Sequence, residues 1–197
     1  LSPDASVDRP RLWRLNRATG SLFQLNNNIN ITSTGNISYQ ENQLGDDFYF
    51  PGSILGSEEY GLVLSDGTVQ GTSLIDLSEQ IRNWPIYILG ELGGWMYFTA
   101  LDQQNRPQMW RIKDSSSTLE RVSGSYSEYI TRFLKVDETK AIFCGESNRG
   151  GDDVLWSIEV ATNTVQEIDL SPLENKCSGA MEKMATGEIL LGLNIDE

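Results

Sequence analysis

Histidine is absent from all 197 residues, which excludes Ser-His-Asp and Cys-His catalysis, His-ligated zinc and the usual neutral-pH switch. Cysteine is scarce, with Cys144 and Cys177 only. Two cysteines make no disulfide framework, but they pair if the fold brings them together. Otherwise Cys144 is a small buried hydrophobe and Cys177 a loop thiol. No apolar run approaches the roughly 20 residues a membrane helix needs, so no membrane insertion is expected. Positive charge is also short: 15 basic against 28 acidic side chains give a net −13, which repels phosphate backbones and disfavours a nucleic-acid partner. The chain lacks a phosphate-cradling glycine motif, a Cys-x-x-Cys and an Asp-x-Asp-x-Asp-Gly calcium loop, so no cofactor and no metal are expected.

What is present is globular. With 39% hydrophobic and 22% charged residues, the chain is one ordinary domain with enough length to bury a core. It starts at Leu1, followed by a polar stretch to Arg9 with no readable targeting signal, which suggests a processed or excised piece of a longer polypeptide. Two N-glycosylation acceptor patterns, Asn30-Ile31-Thr32 and Asn36-Ile37-Ser38, fall in a polar region read as a surface loop or edge.

The strongest signal is an internal repeat of 46 to 50 residues. Trp13, Val63, Trp110 and Trp156 hold equivalent places in Leu12–Leu15, Leu62–Leu64, Met109–Ile112 and Leu155–Ile158. After each comes a small, polar turn and a second short strand (21–25, 72–77, 119–122, 164–170), which reads as a hairpin. Upstream lie aligned strands at 48–52, 96–100, 141–145 and 189–193. These are preceded, in three copies, by strands at 86–89, 130–136 and 180–184. Four antiparallel strands per repeat of this length indicate β-propeller blades. Pro51 inside one such strand implies a bulge or a locally unpaired position.

The chain opens on a third and fourth strand and ends on a first and second. The expected architecture is therefore all-β, a four-bladed β-propeller of four-stranded antiparallel blades closed by pairing N-terminal with C-terminal strands. That makes a single domain over 1–197, with a composite blade from 1–25 and 171–197 and blades at about 26–77, 78–124 and 125–170. The rival is a segment of a larger propeller of six to eight blades. Closure would place Cys144 and Cys177 on one face, where a disulfide is allowed.

Gly61-Leu62-Val63-Leu64-Ser65-Asp66-Gly67-Thr68, followed by Gly71-Thr72, resembles the ELWxxDGT repeat. The other copies keep the Leu/Met-Trp core and the upstream strand, seen best as Tyr97-Phe98-Thr99-Ala100, but have lost Asp-Gly-Thr. The resemblance implies a propeller and an extracellular or cell-surface location; it implies no chemistry. The blade count is similar to that of hemopexin-like domains, whose motifs are missing.

Candidate site residues are few. The adjacent acids Asp46-Asp47, Glu58-Glu59 and Asp152-Asp153 point to opposite faces of a strand and make poor catalytic dyads. Trp13, Trp110 and Trp156 read as core between blades. Trp84, before Pro85, and Trp95, after Gly93-Gly94, lie outside that register and are candidates for an exposed contact. The leading expectation is a binding or scaffold propeller for a protein partner, not an enzyme. Alternatives are a carbohydrate-binding propeller with a glycan ligand and, third, a glycoside hydrolase-type propeller enzyme.

Overall fold

The computed structural model describes residues 10–32, 42–82, 85–113, 118–124, 130–146, 153–170 and 177–193. These hold seventeen strands in five sheets and no helix. The chain divides into two compact units, Leu1–Ile88 with Ala100–Arg106, and Leu89–Thr99 with Pro107–Glu197.

In the first unit, β1 (Trp13–Leu15) and β2 (Leu22–Gln24) pair only with each other among the described residues. Next come β3 (Ile29–Ile31), β4 (Gln43–Leu44), β5 (Asp47–Ile54), β6 (Tyr60–Ser65) and β7 (Thr72–Asp76), in the order β3-β5-β6-β7 with β4 also on β5. Tyr49, Leu62, Val63, Ile75, Leu77 and Ile81 are buried, so β6, apolar on both faces, reads as a covered central strand. Pro51 causes no bulge against β6, where the register runs unbroken from Phe48↔Ser65 to Ser53↔Tyr60. It lies opposite Leu62 in a pair that exchanges no hydrogen bonds, and on its other side Pro51 O accepts Thr32 N just past the end of β3. The missing N–H thus falls where the β3 ladder stops.

The Asp102 turn closes the described part of this unit. Its Oδ1 accepts the Gln104 and Arg106 backbone N–H groups, each at 2.9 Å, and its Oδ2 accepts the Arg106 guanidinium at 2.7 Å. Burial pushes the carboxyl up, but the Arg106 side-chain bond, then the two backbone bonds, outweigh it and hold the group below its ordinary value. A carboxylate lowered in the folded state adds stability that is complete above the unfolded value near 3.9 and is lost as pH falls through the folded value. Asp102→Asn should therefore flatten the acid limb of a stability-versus-pH curve below about pH 4, read by urea midpoints across pH. An unchanged acid limb would show that the turn carries none of it.

Strands β8 (Tyr87–Leu92), β9 (Trp95–Leu101), β10 (Pro107–Lys113) and β11 (Thr118–Arg121) form a sheet in the order β11-β10-β9-β8. In the second unit, β12 (Ile130–Lys135), β13 (Lys140–Glu146), β14 (Asp153–Glu159) and β15 (Thr164–Glu167) follow in sequence order, and β16 (Cys177–Lys183) pairs with β17 (Ile189–Leu193) in a sheet of its own. Here the repeat places its large residues inside. Tyr97, Phe133, Phe143 and Trp156 stack in succession at centroid spacings of 5.9, 6.4 and 6.4 Å. The Trp156 indole N–H also donates to Gly145 O at 3.1 Å. A second cluster gathers Ile142, Cys144, Leu155, Cys177 and Met181, with Ile189 and Leu191 against it. Gly93, at φ 59°, is required where β8 turns into β9: a Cβ there would lie 2.6 Å from Glu138 O and 2.8 Å from Val160.

The all-β class is as expected, but the closed four-bladed propeller is not. Among the described residues no sheet is closed by strand pairing, and the expected composite blade is not formed, because β1–β2 and β16–β17 are separate two-stranded sheets. Local alternation made each half a hairpin; joining them requires contacts that alternation does not encode. The propeller architecture drawn from the ELWxxDGT-like repeats falls with it.

Candidate functional site

Among the described residues of the first unit, the β1–β2 hairpin gathers four exposed large apolar side chains. Its register, Trp13↔Gln24, Arg14↔Phe23 and Leu15↔Leu22, puts Trp13, Leu15 and Leu22 on one face and Arg14 with Phe23 on the other. Trp13, Leu15, Leu22 and Phe23 are all exposed. Trp13 was expected in the core; it is 52% exposed, whereas its repeat counterparts Val63, Trp110 and Trp156 stand at 0%, 8% and 5%. The cause is the neighbouring strand. The counterparts lie on β6, β10 and β14, each flanked on both sides, whereas among the described residues β1 has a partner on one side only.

The hairpin is nonetheless well set. Asn16 Oδ1 accepts Ala18 N and Thr19 N at 3.0 and 3.2 Å, and Gly20 N returns to Asn16 O. Arg14 lies over the Phe23 ring at 5.7 Å and donates to Gly67 O at 3.0 Å. That carbonyl belongs to the Asp66-Gly67-Thr68 turn, where the side-chain and backbone hydrogen bonds from Thr68 hold the Asp66 carboxyl below its ordinary value. Arg11 donates to Asn27 O.

The free edge of β1 follows from its hydrogen bonds. Leu25 N donates to Leu12 O and Asn16 N to Ser21 O, so Arg14↔Phe23 is a bonded pair, and the N–H and C=O groups of Trp13 and Leu15 point away from β2. Charge adds to this. Residues 9–40 contain Arg9, Arg11, Arg14 and Arg17 and no acid, a local +4 that leaves −17 on the rest of a −13 chain. Net charge concealed this basic island; counting charge by segment reveals it.

The sequence-based candidates fare differently. Trp95 is half-buried, with the Arg111 guanidinium 4.1 Å from its ring centroid and Lys113 Nζ at 5.7 Å. Arg111 is buried and donates to Glu120 Oε2 at 2.7 and 2.9 Å, to Val160 O at 2.8 Å and to the Tyr97 hydroxyl at 3.3 Å. Burial raises the Tyr97 hydroxyl above its usual value, against the lowering effect of Arg111. With its donors so engaged, Arg111 ties the turns together and one face of Trp95 is taken. Arg111→Met should cost about 2 kcal/mol in denaturant unfolding, below the 3–5 of a broken buried pair because Glu120 is partly hydrated. A loss under 0.5 kcal/mol would mean that the guanidinium bonds add nothing net.

Trp84 and Asn36 lie outside the described residues. Asn30 is no surface acceptor: it sits in β3 opposite Ser53, is buried, and its Nδ2 and Oδ1 have no partner among the described residues. Cys144 and Cys177 are joined, with Cα atoms 5.8 Å apart. Among the described residues no group of three or more Cys, Asp or Glu side chains could hold a metal ion, and no helix is long and apolar enough to cross a membrane.

No protein family matches the sequence, and no curated protein matches it. Solved structures do share its fold. TolB from Acinetobacter baumannii is similar over 86% of this chain and 40% of its own, at 16% identity and a TM-score of 0.50. A mutant puromycin hydrolase is similar over 87% and 26%, at 11% identity and 0.47. A Hadza microbial sialidase is similar over 74% and 36%, at 13% identity and 0.45. The chain thus spans under half the length of each. Identities this low speak to the fold alone. Two of the three are named for enzymes, and the expectation that this chain is not an enzyme, a purely scaffolding module, is not carried further.

Proposed function

We propose that this chain is a protein-binding β module whose β1–β2 hairpin takes an extended, acidic partner segment by strand addition along β1. The carrying observation is the 52% exposure of Trp13 at a repeat position that is buried in every other copy. Backbone groups of Trp13 and Leu15 that face away from β2 and have no partner among the described residues supply affinity, the Trp13-Leu15-Leu22 face supplies an apolar platform, and Arg11, Arg14 and Arg17 favour a negative partner. The Cys144–Cys177 disulfide supports an oxidising, extracytoplasmic setting.

A synthetic peptide of alternating glutamate and valine is the probe. Isothermal titration should show binding that weakens about thirtyfold in Trp13→Asp, the loss expected of an interface hot spot. Equal binding by the variant, or none by the parent, overturns the reading. A second reading rests on the same exposed indole among arginines, which also suits an anionic glycan. Sulfated oligosaccharide that binds the parent, fails to bind Trp13→Ala and is not displaced by the peptide would favour it.

A further inference from the structure

The turn between β6 and β7 carries a reactive pair with an exposed carboxylate. Asp66-Gly67 is the single Asp-Gly of the chain, and no Asn-Gly occurs. This dipeptide rearranges spontaneously wherever its two reacting groups meet. The Gly67 amide nitrogen attacks Cγ of the Asp66 carboxyl group and forms an N–Cγ bond. The amide proton and the carboxyl hydroxyl leave as water, and a five-membered succinimide remains. Water then opens the ring. When it enters at the Asp66 main-chain carbonyl, the bond from that carbon to Gly67 N breaks, and the chain runs on through Cβ and Cγ as isoaspartate. Glycine matters in the second place because no Cβ screens its nitrogen.

In the folded chain both reactants are held on other partners. Asp66 Oδ1 accepts Thr68 N at 2.8 Å and the Thr68 hydroxyl at 2.7 Å. Gly67 N donates to the buried Ser65 Oγ at 3.1 Å, and that hydroxyl is braced against Thr72 Oγ1 at 2.8 Å. Thr68 Oγ1 in turn accepts Gly71 N at 2.9 Å, and the Asp66 carboxylate lies so close on Gly71 that a Cβ there has no room. The carboxyl group is thus pinned from two sides and kept ionised by the Thr68 bonds, whereas attack needs it neutral and turned onto Gly67 N. The β12–β13 turn repeats the clasp, with Asp137 Oδ1 accepting Thr139 N and Thr139 Oγ1 at 2.7 Å each. There the next residue is Glu138, so that clasp has no Asp-Gly to guard.

We propose that Asp66-Gly67 is a modification site, an isoaspartate site kept closed by the Thr68 hydroxyl, whose opening unseats the β1–β2 hairpin. The link is Gly67 O, which accepts the Arg14 guanidinium at 3.0 Å while Arg14 lies over Phe23. Isoaspartate lengthens the main chain by a carbon atom, takes the carboxylate away from Thr68 and carries Gly67 O off its place beside Arg14. All of these residues lie in the first unit. The inference goes beyond partner binding and holds whichever ligand the hairpin takes.

Ageing the full chain at neutral pH beside a synthetic peptide of residues 60–77 tests it, with isoaspartate read by enzymatic methyl transfer to the new carboxylate and by peptide mapping. The parent should isomerise about tenfold more slowly than the peptide, because it must first give up the two Thr68 bonds. Thr68→Val keeps the backbone donor and removes the hydroxyl, so its rate should approach that of the peptide. Thr68→Ser should remain slow. In aged Thr68→Val chains the isoaspartate fraction should lose amide-exchange protection at Asn16 and Leu25, which bond Ser21 O and Leu12 O across the hairpin, while the unmodified fraction keeps it. A parent that isomerises as fast as the peptide, a Thr68→Val chain as slow as the parent, or an isoaspartate fraction with an unaltered hairpin would overturn the proposal. The comparison of parent with peptide decides the point even where Thr68→Val does not fold.

Discussion

Phe143→Ala should lower the unfolding free energy by about 4 kcal/mol, within the 3–5 observed when a buried phenylalanine is truncated. Phe143 is fully buried on β13 and sits mid-column, 6.4 Å from Phe133 on one side and 6.4 Å from Trp156 on the other, with ring planes within 19° and 18° of parallel. Alanine removes the area burial of one ring and two stacking contacts. It also leaves a void that cannot collapse readily, because Phe133 and Trp156 are held on separate strands, β12 and β14, on either side of β13. Phe143→Leu should keep most of the volume and lose about 1–1.5 kcal/mol. The measurement is denaturant unfolding followed by tryptophan fluorescence. A loss for alanine no greater than for leucine would mean that the column is not what holds these strands.

The strands that carry the aromatic column were legible in the sequence as a repeat, but the column itself was not, because Tyr97, Phe133 and Phe143 do not occupy equivalent repeat positions. Position by position, the alignment of Trp110 with Trp156 and of Tyr97-Phe98-Thr99-Ala100 with Ile142-Phe143-Cys144-Gly145 marked strands that are β9, β10, β13 and β14. Such strands reveal themselves because a residue with neighbours on both sides must be apolar in every copy. Trp13 carries the same local motif and had the same reading, yet it lies in solvent. Its motif records what kind of strand it is; its burial depends on whether a second-strand neighbour is in place, which no local pattern states. Ring closure failed for the same reason. Complementary strand types at the two ends are a condition for pairing, not evidence that the ends meet.

Asn30 shows the opposite error. A polar stretch with an acceptor triplet suggested a surface loop, but Ile29 and Ile31 flank Asn30 in β3, and pairing of that short strand with β5 buries the amide. Of the binding edge, the arginines were visible, and Arg11, Arg14 and Arg111 read as stacking on aromatic rings or pairing with acids, as Arg111 does with Trp95 and Glu120. A net charge of −13 describes the far field of the molecule, while a partner segment a few residues long responds to charge within a Debye length, about 8–10 Å. Over residues 9–40 that local charge is positive.

Removal of the disulfide in a Cys144→Ala/Cys177→Ala chain should cost about 3–4 kcal/mol. Cys177 begins β16, and Cys144 lies on β13 in a different sheet, 33 residues away. Cross-linking a loop of that length restricts the unfolded chain by about this amount. The folded state has reason to depend on it, because a two-stranded hairpin such as β16–β17 is marginal alone and needs packing or a covalent tie. Packing exists here: Met181 is buried with Ile142 and Leu155, and Ile189 and Leu191 close over them. The two contributions separate experimentally. If the tie dominates, the double variant should lose protection from amide exchange through β16 and β17 first, while β13 and β14 stay protected to the level of global unfolding. If the apolar cluster dominates, exchange in the hairpin should be unchanged and the loss should fall well under 1 kcal/mol.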